Sequence, residues 1–343
     1  MIRVPNSSLE VAAISHPGVG GRQNEDRFAV SAYQVSETDL TPSTFAIVSD
    51  GIGGHRAGEE AAEMAVETIS RMVSQSTVRH PLATLDNAIQ VTSDAIASRG
   101  KDDTQRLGMG TTCTCAWVID SRLFIASVGD SRVYLMRNNR IFQLTVDHTW
   151  VQEAVEKGFL DPEEMRDHPN VHVIRRYLGS PKTPQADIRL RLATDESDTQ
   201  ARSNQGLSLF PGDMILLCTD GLTDVLEESD IESTLRGLDP HTAAQALVDL
   251  AVSRKGGDNI TVVLMHFPRE DSPKKKNTFW VWLLLGLVVL ILFALLLAVA
   301  ARLVIYFFLP SSPTFQMLKN LLLASCYFSI MAYTPQRSNF ILR

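Results

Sequence analysis

Apolar runs in the first 270 residues are broken by glycine-rich polar segments, and three of these boundaries carry an aspartate. One apolar run ends at Asp50 and another ends at Asp220, and a glycine directly follows each aspartate. Asp258 lies beside glycines just before a further apolar run. Glycine allows close backbone approach and positive φ, which suits an aspartate presented to a metal ion or phosphate, although Asp-Gly is also a common turn dipeptide. Three aspartates at predicted strand ends can converge on one site.

The spacing of apolar residues predicts helices and strands in alternating blocks. Helical spacing runs over 57–73 and again from Pro81, and short apolar runs separated by turn residues predict antiparallel strands. The predicted strands are 9–15, 27–33, 111–119, 123–128, 132–137, 141–144, 213–219 and 260–267, with a hairpin turn at Asn138-Asn139 and a later helix from Asp239-Pro240. Residues 147–182 are predicted as two short helices and a loop, and 194–206 as a loop. This arrangement is typical of an α+β fold, because a βαβ series would alternate single strands and helices.

Charge is divided unevenly along the 343 residues. Residues 271–343 carry seven Lys and Arg against one acid, so the first 270 residues hold 25 basic and 38 acidic residues, a net charge of −13. Phosphate backbones would be repelled by a domain this acidic, so we expect no nucleic-acid partner. The excess of carboxylates suits divalent cations better.

Cysteine usage indicates a reducing compartment. The four cysteines are Cys113, Cys115, Cys218 and Cys326. Their spacing is not that of a zinc site, and three of the four lie in apolar runs, as buried free thiols do. Met1–Glu10 has no apolar run, so a secretory signal is not expected at that point.

A long apolar segment near the C-terminus predicts a membrane span. Trp280–Ala301 contains 22 residues without a charge, and at about 1.5 Å per residue this is roughly 33 Å, enough to cross the hydrocarbon core. Lys274, Lys275 and Lys276 precede it, so we expect residues 1–270 to face the cytoplasm from the inner cell membrane, in a single-pass arrangement. The 13-residue apolar stretch Leu321–Tyr333 is short for a span, and an interfacial or partner-packing role is preferred.

An ordered series of motifs gives residues 9–267 a specific resemblance to a known family. Each motif is common alone, but together and in this order they resemble the metal-dependent Ser/Thr protein phosphatases, the protein phosphatase 2C family, in its bacterial form. The motifs are Asn24-Glu25-Asp26, Ser49–His55, Gly110-Thr111-Thr112, Val128–Tyr134, Leu144–His148, His168-Pro169, Arg176–Gly179, Cys218–Leu222 and Gly257–Ile260. The family's fold is a four-layer α/β/β/α sandwich of two antiparallel sheets flanked by helices, which agrees with the predicted blocks.

The resemblance, together with the polar linker and the apolar run that follow it, divides the chain into four segments. These are a phosphatase-like catalytic domain over 1–270, a basic linker over 271–279, a transmembrane helix region over 280–308 and a C-terminal tail over 309–343. The family's variable flap corresponds to residues 147–182, where substrate selection is expected.

The family's mechanism implies roles for individual residues. Two Mn²⁺ or Mg²⁺ ions are bridged by one carboxylate, and the water that they share attacks phosphorus. Asp50 matches the bridging position. Gly51 matches a carbonyl ligand, while Asp220 and Asp258 match ligands of the other ion. Glu25 matches a residue that orients metal-bound water.

Two interpretations of Asp130 remain open. It matches a ligand of the third metal ion seen in bacterial members of the family, an ion that Asp220 would also bind. It also fits a plain hairpin turn without a metal. Asp26 is expected to order its own loop by hydrogen bonds, and Thr111 and Thr112 to be strand residues without a chemical role.

Two positions depart from the family pattern. The phosphate-binding arginine of the family usually lies five residues before Asp26, where this chain has Gly21, so the adjacent Arg22 is interpreted as the ligand of the substrate phosphate. Many eukaryotic members have a histidine general acid directly after the Asp-Gly pair, where this chain has Ile52. The leaving-group proton can then come from His55, from a metal-bound water or from another group, and His55 can equally be structural.

Three hypotheses follow for the whole chain. The first is a membrane-anchored phosphatase that acts on phosphoserine and phosphothreonine proteins and opposes a cognate Ser/Thr kinase. The second is a catalytically silent phosphatase-like module that binds a partner in a membrane complex. The third is that the apolar C-terminal segments chiefly assemble such a complex. Intact Asp50, Asp220 and Asp258 favour the first over the second, because a binding module has no need of metal ligands.

Overall fold

All pairings between the strands that the structure describes are antiparallel. The computed structural model describes residues 1–20, 23–53, 56–101, 104–268, 279–308, 316–317 and 320. Its strands are β1 Ile2–Val4, β2 Glu10–His16, β3 Arg27–Gln34, β4 Pro42–Ser49, β5 Gly51–Ile52, β6 Gly110–Thr111, β7 Cys113–Ile119, β8 Arg122–Val128, β9 Arg132–Arg137, β10 Arg140–Gln143, β11 Leu207–Ser208, β12 Met214–Cys218 and β13 Ile260–His266. They form a six-stranded sheet in the order β1-β3-β4-β7-β8-β11, a five-stranded sheet in the order β10-β9-β12-β13-β2, and the small ribbon β5-β6.

The two large sheets pack face to face, and helices cover their outer faces. Strand β4 contains the uninterrupted apolar run 45–48, and it is buried on both faces. Ala46 and Val48 lie in the core between the two sheets, while Phe45 and Ile47 lie in the core under the helices. Alternate side chains of a strand point to opposite faces, so a strand buried on both sides needs apolar residues at every position. The predicted α+β class and four-layer sandwich are confirmed.

Four helices of the N-terminal unit, Met1–Glu270, cover the outer faces of the sheets. The helices of this unit are α1 Arg56–Gln75, α2 Pro81–Lys101, α3 Trp150–Glu156, α4 Asp198–Ser203, α5 Asp220–Thr223, α6 Glu228–Leu235 and α7 Pro240–Ser253. The long helices α1 and α2 cover the six-stranded sheet, and α6 and α7 cover the five-stranded one. The hairpin turn predicted at Asn138-Asn139 is confirmed, since both residues have positive φ between β9 and β10.

Three segments differ from their predicted structure. The polar segment 194–206 contains α4, and the loop prediction there is wrong because Ser197 and Gln200 form a reciprocal capping box that nucleates the turn. The segment 147–182 holds α3 and a 3₁₀ turn at Pro162–Glu164, where two short helices had been predicted. Helix α6 was not predicted, because its eight residues include only two buried apolar side chains, Ile231 and Leu235.

The second unit, Asp271–Arg343, contains helix α8, Phe279–Phe308. Its segment Gly286–Val304 has a mean hydropathy of 3.0, and in the described residues it is the one helix long and apolar enough to cross a membrane. This is compatible with a single-pass anchor. The predicted linker as far as residue 278 and the apolar stretch 321–333 lie outside the described residues.

Candidate metal centre

Asp50 is held at the end of β4 by the strand that follows the long helices. Its backbone N–H donates to Thr112 Oγ1 at 2.9 Å, and its carbonyl accepts from Thr112 N at 2.9 Å and Thr111 Oγ1 at 2.7 Å. Gly51 pairs with Thr111 in the β5-β6 ribbon. The two threonines, which the sequence analysis treated as plain strand residues, therefore anchor the backbone from which the Asp50 carboxylate extends.

Asp220 and Asp258 are brought together by glycines. Asp220 begins α5 directly after β12, and Asp258 lies just before the adjacent strand β13. A Cβ added at Gly221 would overlap the carbonyl oxygen of Asn259, and one added at Gly18, where φ is +75°, would overlap that of Asp258. The loops can pack this closely only because both positions lack a side chain.

We expect Gly221→Ala to weaken Mn²⁺ binding at least about tenfold, because the added methyl group must push Asn259 and the neighbouring Asp258 away from Asp220. Isothermal titration with Mn²⁺ measures this. The matched control is Gly257→Ala, since a Cβ at Gly257 meets no atom within 4 Å. Equal affinities of the two variants would show that the close packing does not position the aspartates.

Asp130 and Asp26 are two further buried aspartates close to Asp50, Asp220 and Asp258. Asp130 is 6% exposed, and the hydroxyl of the next residue, Ser131, lies 2.8 Å from Thr112 Oγ1, the same atom that accepts from Asp50 N. Asp26 is buried, and its Oδ2 accepts from the hydroxyls of Thr219 at 2.8 Å and Thr261 at 2.7 Å. Asp26 thus ties its loop to the strands that lead to Asp220 and Asp258.

These five aspartates, Asp26, Asp50, Asp130, Asp220 and Asp258, are called the carboxylate cluster below. Burial, and then the charges of the other four, raise the pKa of Asp50 well above its usual value. Burial, followed by Asp130, does the same to the pKa of Asp220. Burial raises the pKa of Asp26 to about 6 and that of Asp130 to about 7. Mutual repulsion of this kind costs stability unless a cation compensates it.

The cluster fits divalent cations in its donor chemistry. Oδ1 of Asp26, Asp130 and Asp220 is buried with no hydrogen-bond partner in the part of the chain that the structure describes. Unpartnered buried carboxylate oxygens are costly, and carboxylate and carbonyl oxygens are the ligands that Mg²⁺ and Mn²⁺ prefer. Asp50, Gly51, Asp130, Asp220 and Asp258 are therefore suitable to hold such ions.

Glu25 lies beside the same loops. Its backbone N–H donates to Asn259 Oδ1 at 2.7 Å, and a Cβ at Gly58, near the start of α1, would overlap its Oε2. Asn259, which was not predicted as a site residue, links the loops of Glu25 and Asp258. Its signal in the sequence was its position directly after Asp258.

A cavity of about 670 Å³ opens beside the cluster and is lined by Asp130, Asp220 and residues of the 147–182 segment. There His172, Asp220 and Asp224 place ligand atoms within 4.8 Å of one another. Sequence reasoning missed His172 and Asp224. Asp224 follows Asp220 by four residues, the helical spacing that could have indicated it, whereas the flap residue His172 carried no such signal.

The structure thus brings together five predicted residues, Glu25, Asp50, Asp130, Asp220 and Asp258, with Gly51 adjacent. Arg22 and His55, the other two predicted site residues, lie outside the described residues. Ile52 is in the β5-β6 ribbon.

Comparison with known proteins gives consistent matches. The family model described as Protein phosphatase 2C matches residues 20–157. The chain is 32% identical over 257 residues to the serine/threonine protein phosphatase PstP of Mycobacterium tuberculosis, covering 75% of this chain but only 44% of PstP. It is 31% identical over 268 residues to the protein phosphatase PhpP of Streptococcus pneumoniae, covering 77% of this chain and 100% of PhpP. A crystal structure of the PstP catalytic domain in complex with two manganese ions matches with a TM-score of 0.60 and 30% identity, over 75% of this chain and 97% of that chain.

Proposed function

The chain belongs to the protein phosphatase 2C family, and from this we propose that it is a metal-dependent Ser/Thr protein phosphatase. The observation that carries the proposal is the convergence of the carboxylate cluster, in which burial and neighbouring carboxylates raise the pKa of Asp50 and Asp220 and in which buried oxygens have no partner in the described residues. Phosphoserine and phosphothreonine proteins are the proposed substrates, as the name of the serine/threonine protein phosphatase PstP indicates for that relative.

Four aspartates of the cluster, Gly51 and Glu25 each receive a proposed task. Asp50 would hold two ions, together with the Gly51 carbonyl for one of them and with Asp220 and Asp258 for the other, and Asp130 with Asp220 would be available to a third. Bound Mn²⁺ or Mg²⁺ supplies Lewis acidity toward the phosphoryl oxygens and lowers the pKa of water. Glu25, fixed through its backbone by Asn259, orients the attacking water by hydrogen bonding.

Two further roles rest on the family resemblance. Arg22 is proposed to grip the substrate phosphate, since a guanidinium binds two phosphate oxygens at once. The leaving alkoxide of serine or threonine needs a proton, for which His55, a water or another group is available. Both Arg22 and His55 lie outside the described residues.

We expect the purified fragment 1–270 to release phosphate from a phosphothreonine peptide in the presence of Mn²⁺. The release of phosphate should stop when a chelator is added. The fragment is suitable because Met1–Glu270 is a compact unit, and because the whole of PhpP aligns with only 77% of this chain. Phosphate release is followed colorimetrically, with Mg²⁺ in a parallel sample. A folded fragment that binds Mn²⁺ but releases no phosphate would favour the partner-binding hypothesis.

The C-terminal helix α8 is proposed to anchor the enzyme in the inner cell membrane with residues 1–270 in the cytoplasm, where it would oppose a Ser/Thr kinase. This proposal rests on the 19-residue apolar segment Gly286–Val304 and the preceding lysines.

We expect the full chain to sediment with membranes and resist extraction by alkaline carbonate, whereas the chain ending at residue 270 should stay in the supernatant. Protease added to sealed inverted vesicles should digest residues 1–270, because this face would be outside. Digestion only in right-side-out vesicles would reverse the proposed orientation.

A further inference from the structure

His148 follows β10 and contacts the loop that carries Asp130. The residue is 3% exposed, and Gly129 N–H donates to its Nδ1 at 3.0 Å. Its backbone N–H donates in turn to the Gly129 carbonyl at 2.9 Å. Gly129 has a φ of +113°, and a Cβ there would overlap Thr112, so the loop conformation requires glycine and leaves its backbone open to the imidazole. The ring therefore holds the residue immediately before Asp130.

The tautomer of His148 follows from its two partners. Nδ1 must be unprotonated, because it faces the N–H of Gly129. Nε2 lies 3.1 Å from Asp187 Oδ2 and must carry the proton, because a carboxylate accepts. A ring protonated on Nδ1 would place two donors against each other and release Gly129.

Asp187 is itself immobilised. Arg189 donates to both of its oxygens, through Nε at 3.1 and 2.8 Å and Nη2 at 2.6 Å, and the Asp187 backbone exchanges two hydrogen bonds of 2.9 Å with Ser127 on β8. Burial opposes ionisation, but the hydrogen bonds from His148 and Arg189 outweigh it and hold the pKa of Asp187 well below its usual range. Asp187 is thus an ionised, fixed acceptor for His148.

We propose that His148 is a positioning residue for Asp130, acting through the hydrogen bond to Gly129 in a tautomer set by Asp187 and Arg189. The inference rests on the proposed function, because it concerns the orientation of the Asp130 carboxylate, which is proposed to bind a metal ion. Asp130 has a buried Oδ1 without a partner in the described residues, so its direction is set by its backbone and not by a contact of that oxygen. Small rotations at Gly129 would change the direction in which this oxygen points.

Two substitutions separate the halves of the contact. His148→Asn retains an oxygen near the position of Nδ1 and can still accept from Gly129. His148→Gln retains an N–H near the position of Nε2 and can still donate to Asp187, but leaves Gly129 N–H without its acceptor. Val248→Ala, on α7 in the core between that helix and the five-stranded sheet, is the control for a general loss of packing.

The experiment measures Mn²⁺ affinity of the full chain in detergent by electron paramagnetic resonance of free Mn²⁺, without any substrate. We expect the weakest Mn²⁺ site to lose affinity about 10- to 100-fold in His148→Gln, while His148→Asn and Val248→Ala retain most of it. Asp130→Ala should abolish the same site, so that His148→Gln adds no further loss in the double variant. Equal losses in both His148 variants, or additive losses with Asp130→Ala, would overturn the inference.

A second measurement does not depend on the stability of the variants. Two-bond ¹H–¹⁵N spectra of the wild-type chain with ¹⁵N-labelled histidine should show His148 protonated on Nε2 alone, and a proton on Nδ1 would contradict the proposal. Absence of all Mn²⁺ binding by the wild-type chain would overturn the proposed metal centre and the inference with it. Normal wild-type binding with unaffected His148 variants would overturn the inference alone.

Discussion

Asp50→Asn should lower phosphate release by about 10³-fold or more. In the metal-free domain, prepared with a chelator, the same substitution should raise the stability of the fold. Activity falls because Asp50 is the proposed bridge between the ions, and a neutral amide cannot hold two dications together. Stability rises because Asp50 is the member of the carboxylate cluster whose pKa is raised by burial and by all four other members. Replacing it with a neutral side chain of the same size removes that repulsion. The measurements are phosphate release with Mn²⁺ and the Tm in the presence of a chelator.

The expected rise in Tm with chelator is about 3 °C or more, since about 1 kcal/mol shifts Tm by 2–4 °C at this domain size. With saturating Mn²⁺ the order should reverse, because only the wild type gains the full binding free energy. Full activity of Asp50→Asn would remove the bridging assignment. A lower Tm than wild type in chelator would show that the cluster is not a source of repulsion.

The pH dependence of the chelated wild type should have the same origin. Asp26 and Asp130, with folded pKa values of about 6 and 7, bind protons more tightly in the folded than in the unfolded state. The stability from their protonation is therefore present at low pH and is lost as pH rises through about 6 to 7. The chelated domain should be more stable near pH 5.5 than near pH 8, a difference that saturating Mn²⁺ abolishes.

Asp187→Ala should lower the free energy of unfolding by about 3–5 kcal/mol. Arg189 is 8% exposed and loses its bidentate partner, while His148 loses the acceptor of its Nε2 proton. Glu156 and Asp198 remain bound to Arg189 Nη1 at 3.2 and 3.1 Å, but both lie nearer the solvent. Urea denaturation of the domain with a chelator measures the loss.

The double variant Asp187→Ala/Arg189→Met is the matched control. It should recover much of the stability, because an apolar side chain leaves no buried charge unpaired. The folded pKa of Asp187 is depressed, so its contribution is present above the unfolded pKa and is lost as pH falls below about 4. A loss below 1 kcal/mol at pH 7, or no recovery in the double variant, would contradict the account of a buried ion pair.

The long periodic elements were predictable because their patterns are local. The apolar stripe of α1 and the short apolar strands appear directly in the sequence, and Asp239-Pro240 marks the start of α7 with an aspartate that accepts from His241 N and Thr242 N. Helices α4 and α6 were missed, since their few buried residues give little periodicity. The carboxylates of the proposed centre were found through the glycines beside them and through the family's motif order.

The class of fold, the family and the aspartates suited to a metal centre are predictable from the chain alone, since each depends on residue type and on spacing over a few positions. The groups that hold those aspartates become visible only in the folded molecule. The anchoring of Asp50 by Thr112, the link from Glu25 to Asn259, and the chain from Asp187 through His148 to Gly129 join residues separated by 19 to 234 positions. Contacts between residues so far apart in the sequence depend on how the two sheets pack. They cannot be predicted from the local pattern of polar and apolar residues.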